Sequence, residues 1–249
     1  MDTVPKTQQT AWTIGLTSVV VDAAVALVTI NDERPEARND PPPAPQVFRD
    51  VITVANLLDT VPIVADPTSM EEWPDQAHWQ GTGRPATSER GCDVKTTALA
   101  AALEDVTFRP GSADYIVAQG SLHDPYTGLT VEYDSASGNR SVSVDHIHPL
   151  NTAWVLGAST WAPEQQSCFV NDVQRNLIVA DARAVGDRAN RGLAQWLPPS
   201  QNFACTFAAK YLRVAQAYDL PITRGDAIAA AQVCGLSEDA GLGSADTPN

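Results

Sequence analysis

SVSVDHIHPLNTAW, residues 141–154, closes a run of alternating small and β-branched residues with an aspartate, two histidines one residue apart, and a proline. The alternation predicts a strand over residues 141–147, because side chains on a strand change face at every residue. The chain has only four histidines, so two of them beside a carboxylate at a strand end need a reason. Two reasons compete. Either these are polar residues of an amphipathic strand, or Asp145 and His146 form a metal-and-base pair. A neutral imidazole suits proton abstraction near pH 7. A hard divalent cation takes carboxylate, imidazole or amide ligands. Adjacent strand residues point to opposite faces, so a bend before Pro149 is needed to bring both groups to one cleft.

Downstream, NTAWVLGASTWAP predicts a helix ending near Gly157, followed by a second strand from Asn176 to Ala180 and a helical stretch over residues 182–191. WLPPS breaks the chain, residues 203–220 read as an amphipathic helix, and residues 223–236 as a last short one. Upstream, residues 51–64 predict a helix running into an extended piece at residues 61–64, and the alanine-rich residues 92–106 a helix. DPYTG, residues 124–128, is the turn of a predicted hairpin, with Asp124 fixing it. A strand bearing Asp-His, a loop, a strand headed by Asn176 and then a helix is the order of a ββα-metal nuclease finger. In that order Asn176 is placed to orient the His146 imidazole by accepting from its ring N–H. Asp181 is read as the cap of the helix that follows.

With 249 residues, 43% of them hydrophobic, the chain can bury one core and carry appendages. Its formal charge of −14 repels nucleic acid overall. The charge is uneven, however. Residues 141–225 hold seven Arg/Lys against six Asp/Glu, a net of +1, so the remainder, 9 against 24, carries −15. A polyanionic substrate near the histidines is therefore not excluded. Residues 11–30 are apolar enough for an export signal or membrane anchor, with Asp22 at their centre. Residues 31–47 read as an acidic, proline-rich linker, 48–235 as one globular domain and 236–249 as a disordered tail. Four cysteines, Cys92, Cys168, Cys205 and Cys234, suit an exported protein with two disulfides, in any of three pairings. Zinc spacing among them is absent.

HDPYTG, VDHIHPL, Trp154 with GASTW, FVNDVQRNL, and QWLPP followed by Cys205 together resemble the HNH nuclease family typified by the C-terminal domain of the GmrSD restriction endonuclease. They look most like its exported actinobacterial single-domain members. The resemblance spans residues 55–225. It implies an α+β fold, a ββα-metal finger embedded in a mostly helical domain with a small hairpin. It also implies metal-dependent hydrolysis of phosphodiester bonds in DNA or RNA. Asp145 matches the metal-ligand aspartate, His146 the general base and Asn176 the central asparagine. Mg²⁺ or Mn²⁺ is the implied cofactor, nucleic acid the partner, and no nucleotide cofactor is expected. The chain departs from the pattern where the helix asparagine, the second metal ligand, falls at Val185, and where the family lysine falls at Arg188. Arg188 is then a candidate phosphate contact. His148, on the same strand face as His146, is a candidate replacement ligand. The rival expectation is a catalytically silent binding module, since valine cannot ligate a cation.

Overall fold

The computed structural model of the protein describes residues 46–67, 94–138 and 141–237, all within one compact unit running from Pro43. The predicted signal or anchor at residues 11–30 and almost all of the linker and tail lie outside the described residues. The fold is α+β, with seven α-helices and three small sheets among the described residues.

Helix α1, Gln46–Leu58, buries Asp50, Val54, Leu57 and Leu58, a spacing that puts all four on one helical face. That face packs on the long helix α6, Gln201–Ala217, where Thr206 Oγ1 donates to Asp50 Oδ2 at 2.6 Å. Strand β1, Ile63–Val64, pairs in parallel with β7, Ile222–Thr223, which leads into α7, Arg224–Val233. A disulfide from Cys205 in α6 to Cys234 just after α7 fastens these two helices together. Two disulfides were expected among four cysteines. Cys168 is free and exposed, and Cys92 lies outside the described residues.

Helix α2, Val94–Ala102, is shorter than the predicted helix over residues 92–106. Strand β2, Glu104–Phe108, claims the end of that run by pairing with β3, Val117–His123, through an irregular register in which Asp105 adopts φ 49°. Cross-strand hydrogen bonds here override the helical preference of the alanine-rich sequence. Strand β3 continues through the predicted turn into β4, Thr130–Asp134. The Asp124 carboxylate holds that turn, accepting from Tyr126 N, Thr127 N and Thr127 Oγ1.

Strands β5, Val142–His146, and β6, Leu177–Asp181, form an antiparallel pair with Asp145 opposite Ile178 and His146 opposite Leu177. Between them run the short helices α3, Leu150–Val155, and α4, Pro163–Val170. Helix α5, Ala182–Arg188, follows β6 directly, and Asp181 caps it by accepting from Arg183 N and Ala184 N. The order strand, strand, helix predicted from residues 141–191 is thus present. Asp124 Oδ1 also accepts from Asp181 N across 57 positions, tying the hairpin turn to the start of α5. The larger hydrophobic cluster, around Tyr126, Phe169, Phe207 and Tyr211, lies on one side of β5 and β6. A smaller one, with Leu99, Leu122 and Val142, lies on the other.

Just past α5, Ala189 adopts φ 51° and ψ −126°, a region that costs a residue with a Cβ roughly 1–3 kcal/mol. Replacing Ala189 with Gly should therefore raise unfolding stability by about 1 kcal/mol, read as a higher urea midpoint at unchanged slope. Conversely, opening the 29-residue separation of Cys205 and Cys234 by a double alanine substitution should cost about 3–4 kcal/mol in the same measurement.

Candidate active site

Strand alternation divides the Asp-His pair. Asp145 faces the larger cluster, whereas His146 shares the face of Val142 and Val144. Each group meets a different environment.

The Asp145 carboxylate is fully engaged. Its Oδ2 accepts from Arg188 Nη1 at 2.6 Å and from Tyr126 Oη at 2.9 Å, while Oδ1 accepts from His146 N at 2.8 Å. Arg188 was expected as a candidate phosphate contact. The structure places it inside, with 1% of its surface exposed, because α5 ends over the strand and aims its last side chain inward. There Nη1 also donates to His146 O at 2.6 Å and Nη2 to Ile147 O at 2.7 Å. The guanidinium lies 5.0 Å from the Phe207 ring centre and 5.6 Å from that of Trp196, near enough for cation–π attraction. Burial alone would weaken this cation, but Tyr126 and Asp145 beside it raise its pKa above the ordinary arginine value. Burial likewise pushes the Tyr126 hydroxyl well above its usual range. Removing either member of the Asp145–Arg188 pair would strand a buried charge, at a cost of about 3–5 kcal/mol.

The His146 ring is only partly buried, and its Nε2 lies 3.0 Å from Val170 O at the end of α4. A carbonyl only accepts, so Nε2 carries the proton and Nδ1 is left with its lone pair. Burial lowers the imidazole pKa, the Val170 carbonyl and Asp145 opposing it, and the ring is neutral at pH 7. Asn176, fully buried, does not touch this ring as expected. Its Oδ1 accepts from His148 N at 2.9 Å and its Nδ2 donates to Phe169 O at 3.1 Å. It therefore pins the backbone on both sides of His146: the turn after the strand, and the carbonyl next to Val170.

His148 does not share a ligand site with Asp145 or His146. It is wholly buried, stacked on Tyr211 with ring centres 4.4 Å apart and set edge-on to Phe169. Neither ring nitrogen meets a hydrogen-bond partner. Tyr211 in turn donates to Asp226 Oδ2 at 2.8 Å.

Do these residues fit a divalent cation? They do not at Asp145. Both carboxylate oxygens are committed, Val185 offers no donor, and no group of three His, Cys, Asp or Glu suited to a metal occurs among the described residues. A doubly charged ion about 4 Å from the Arg188 guanidinium would also meet a repulsion of about 8 kcal/mol at an effective dielectric of about 20.

The sequence offered no signal for the Tyr126–Arg188 contact beyond the DPYTG motif, in which Tyr126 reads as a turn residue. Trp196 is buried and lies edge-on to Tyr126 at 5.0 Å.

Burial lowers the His148 pKa to about 3, against about 6.5 in the unfolded chain. Between those values the unfolded state binds more protons, so His148 destabilises the fold progressively as pH falls, by up to roughly 5 kcal/mol near pH 3. Urea unfolding of wild type and His148→Leu at pH 7 and pH 4.5 should show the variant losing markedly less stability. Equal losses would contradict this account.

Comparison with known proteins agrees with the order of elements. A family model described as "GmrSD restriction endonucleases, C-terminal domain" matches residues 93–228, more than half of the chain. A protein of Arthroderma benhamiae (strain ATCC MYA-4681 / CBS 112371), described as "Uncharacterized secreted protein", is 28% identical over 191 residues, covering 75% of this chain and 85% of that one. No solved structure matches significantly. The matched span runs from just before α2 into α7 and takes in the hairpin turn, the β5–β6 pair, α5 and the helix that walls off Arg188; the chain belongs to the family of the GmrSD restriction endonuclease C-terminal domain.

Proposed function

We propose that the chain is an exported hydrolase of the HNH type that cleaves phosphodiester bonds of DNA or RNA, with His146 as general base. The observation that carries this reading is the hydrogen bond from His146 Nε2 to Val170 O. It fixes the tautomer and leaves Nδ1, on a partly exposed neutral ring, to take a proton from water as that water attacks phosphorus. The bond from phosphorus to the leaving oxygen then breaks. Asn176 is the positioning residue, since it holds the backbone at Phe169 and His148 that frames the ring. Export is supported by the secreted relative.

Restriction endonucleases of this family generally use divalent metals, and Mg²⁺ or Mn²⁺ is the cofactor the resemblance implies. With Arg188 on its carboxylate, Asp145 is not proposed as the ligand, and no step is routed through an ion there. His148 and Arg188, buried as they are, are not carried forward as ligand and phosphate contact.

The second reading, a silent binding module on the nuclease scaffold, is favoured by the same closure of Asp145 and by Val185. Incubating the full chain with supercoiled plasmid and with RNA, with Mg²⁺, with Mn²⁺ and with EDTA, separates the two. The hydrolytic reading expects cleavage that falls on the order of 10²-fold or more in His146→Ala. Folded wild type that cleaves neither polymer in any of these buffers would leave the binding module as the better description.

A further inference from the structure

We infer that Arg188 is an internal cation standing where this fold would otherwise hold a divalent ion, so that Asp145 binds no metal in this chain. The inference concerns the site of the proposed hydrolysis and rests on that reading for its functional meaning. It is tested by metal binding, which does not depend on activity.

Three features converge on it. The first is occupancy. Oδ2 of Asp145 is taken by Arg188 Nη1 at 2.6 Å and the Tyr126 hydroxyl at 2.9 Å, and Oδ1 accepts from His146 N. The second is the lost partner. A metal at the end of β5 needs a second ligand from the helix after β6, and α5 offers Val185 on the turn before Arg188. Asp187, two residues past Val185, is turned by about 200° around the helix and is exposed, its carboxylate meeting Trp196 Nε1 and Arg191 rather than Asp145. The third is the nest around the guanidinium. Three oxygens, those of Asp145, His146 and Ile147, accept from its two terminal nitrogens, and Phe207 and Trp196 lie within 6 Å of its carbon. Planar acceptors and aromatic faces are what a guanidinium wants. A hard dication would instead take several oxygens at short range in near-octahedral order.

The replacement also does part of an ion's structural work. A metal on Asp145 would gather the strand end. Arg188 gathers it through the carbonyls of His146 and Ile147, immediately beside the proposed base. The loss of the helix asparagine at residue 185 and the burial of residue 188 are then one change rather than two. Without a second ligand an ion would bind weakly, and an uncompensated Asp145 beside the core would be costly. A covalently attached cation resolves both.

The test is a Mn²⁺ titration of the metal-stripped full chain, with free Mn²⁺ read by electron paramagnetic resonance. Wild type should show no saturable binding into the millimolar range that depends on Asp145. Asp145→Asn should give the same titration as wild type. The double variant Val185→Asn/Arg188→Lys, which restores an amide donor and withdraws the fork, should gain at least a tenfold tighter Mn²⁺ site that Asp145→Asn then abolishes. Saturable Mn²⁺ binding by wild type that disappears in Asp145→Asn still folded by circular dichroism, or in Asp145→Asn/Arg188→Met, where no buried charge is left unpaired, would overturn the inference, whatever the restoring double variant does. Mn²⁺ binding by wild type that survives Asp145→Asn supports it, because Asp145 is then not the ligand. Absence of nuclease activity would count against the hydrolytic reading only, and the wild-type and Asp145→Asn titrations together decide this inference.

Discussion

A guanidinium in the interior of a domain must be met by acceptors on nearly every side, and that requirement organises this fold. Arg188 draws on the carboxylate of β5, two backbone carbonyls beyond it, and two aromatic rings. These come from the strand, the loop before α6 and α6 itself. Tyr126, contributed by the hairpin turn, reaches the same carboxylate. Strand, hairpin, α5 and α6 are thereby fixed by one charge. Its Nε remains buried without a partner, a cost of roughly 1–3 kcal/mol that the rest of the nest offsets.

Around that charge the two histidines of the opening stretch have parted company. His146 sits at the edge, mostly covered, with one nitrogen tied to Val170 O and the other uncommitted. His148 lies in the core, where it acts as a flat aromatic surface against Tyr211. Below it Tyr211, Asp226 and the backbone N–H of Ala194 form a hydrogen-bonded column, with burial raising the pKa values of Tyr211 and Asp226. One residue of separation on a strand cannot account for this difference. The bend at Ile147–Pro149, pinned by Asn176, does.

Alternation and breakers in the sequence were enough to place the strand at residues 142–146, its partner, the capped helix after it and the hairpin at Asp124. Each of these is dictated locally, by period, by a capping carboxylate or by a turn residue. What could not be read locally was the direction of Arg188. A charged residue at the end of a short helix is usually solvated, and nothing in ARAVGDR marks it for burial. Its inward course depends on acceptors 41 to 43 positions earlier and on Phe207 well downstream. The same holds for Asn176, whose amide was expected on the imidazole and is spent on two backbone groups instead. The early end of α2 has a comparable cause, since β3 lies beyond the window in which helical propensity is judged.

The pairing of α1 with α6 carries a consequence for how the chain reaches this state. Asp50 is completely buried, and apart from Gln46 within its own helix its side chain is met by Thr206, 156 positions later. Until α6 arrives, α1 has an apolar stripe and a carboxylate with nothing to cover them. Closing so long a loop is slow compared with forming any of the local hairpins. A ribosome must therefore have released the chain well past residue 206 before the first described helix can dock. Docking of the first described helix is therefore a late, long-range event that waits on α6, whereas the hairpin around Asp124 closes over a few residues.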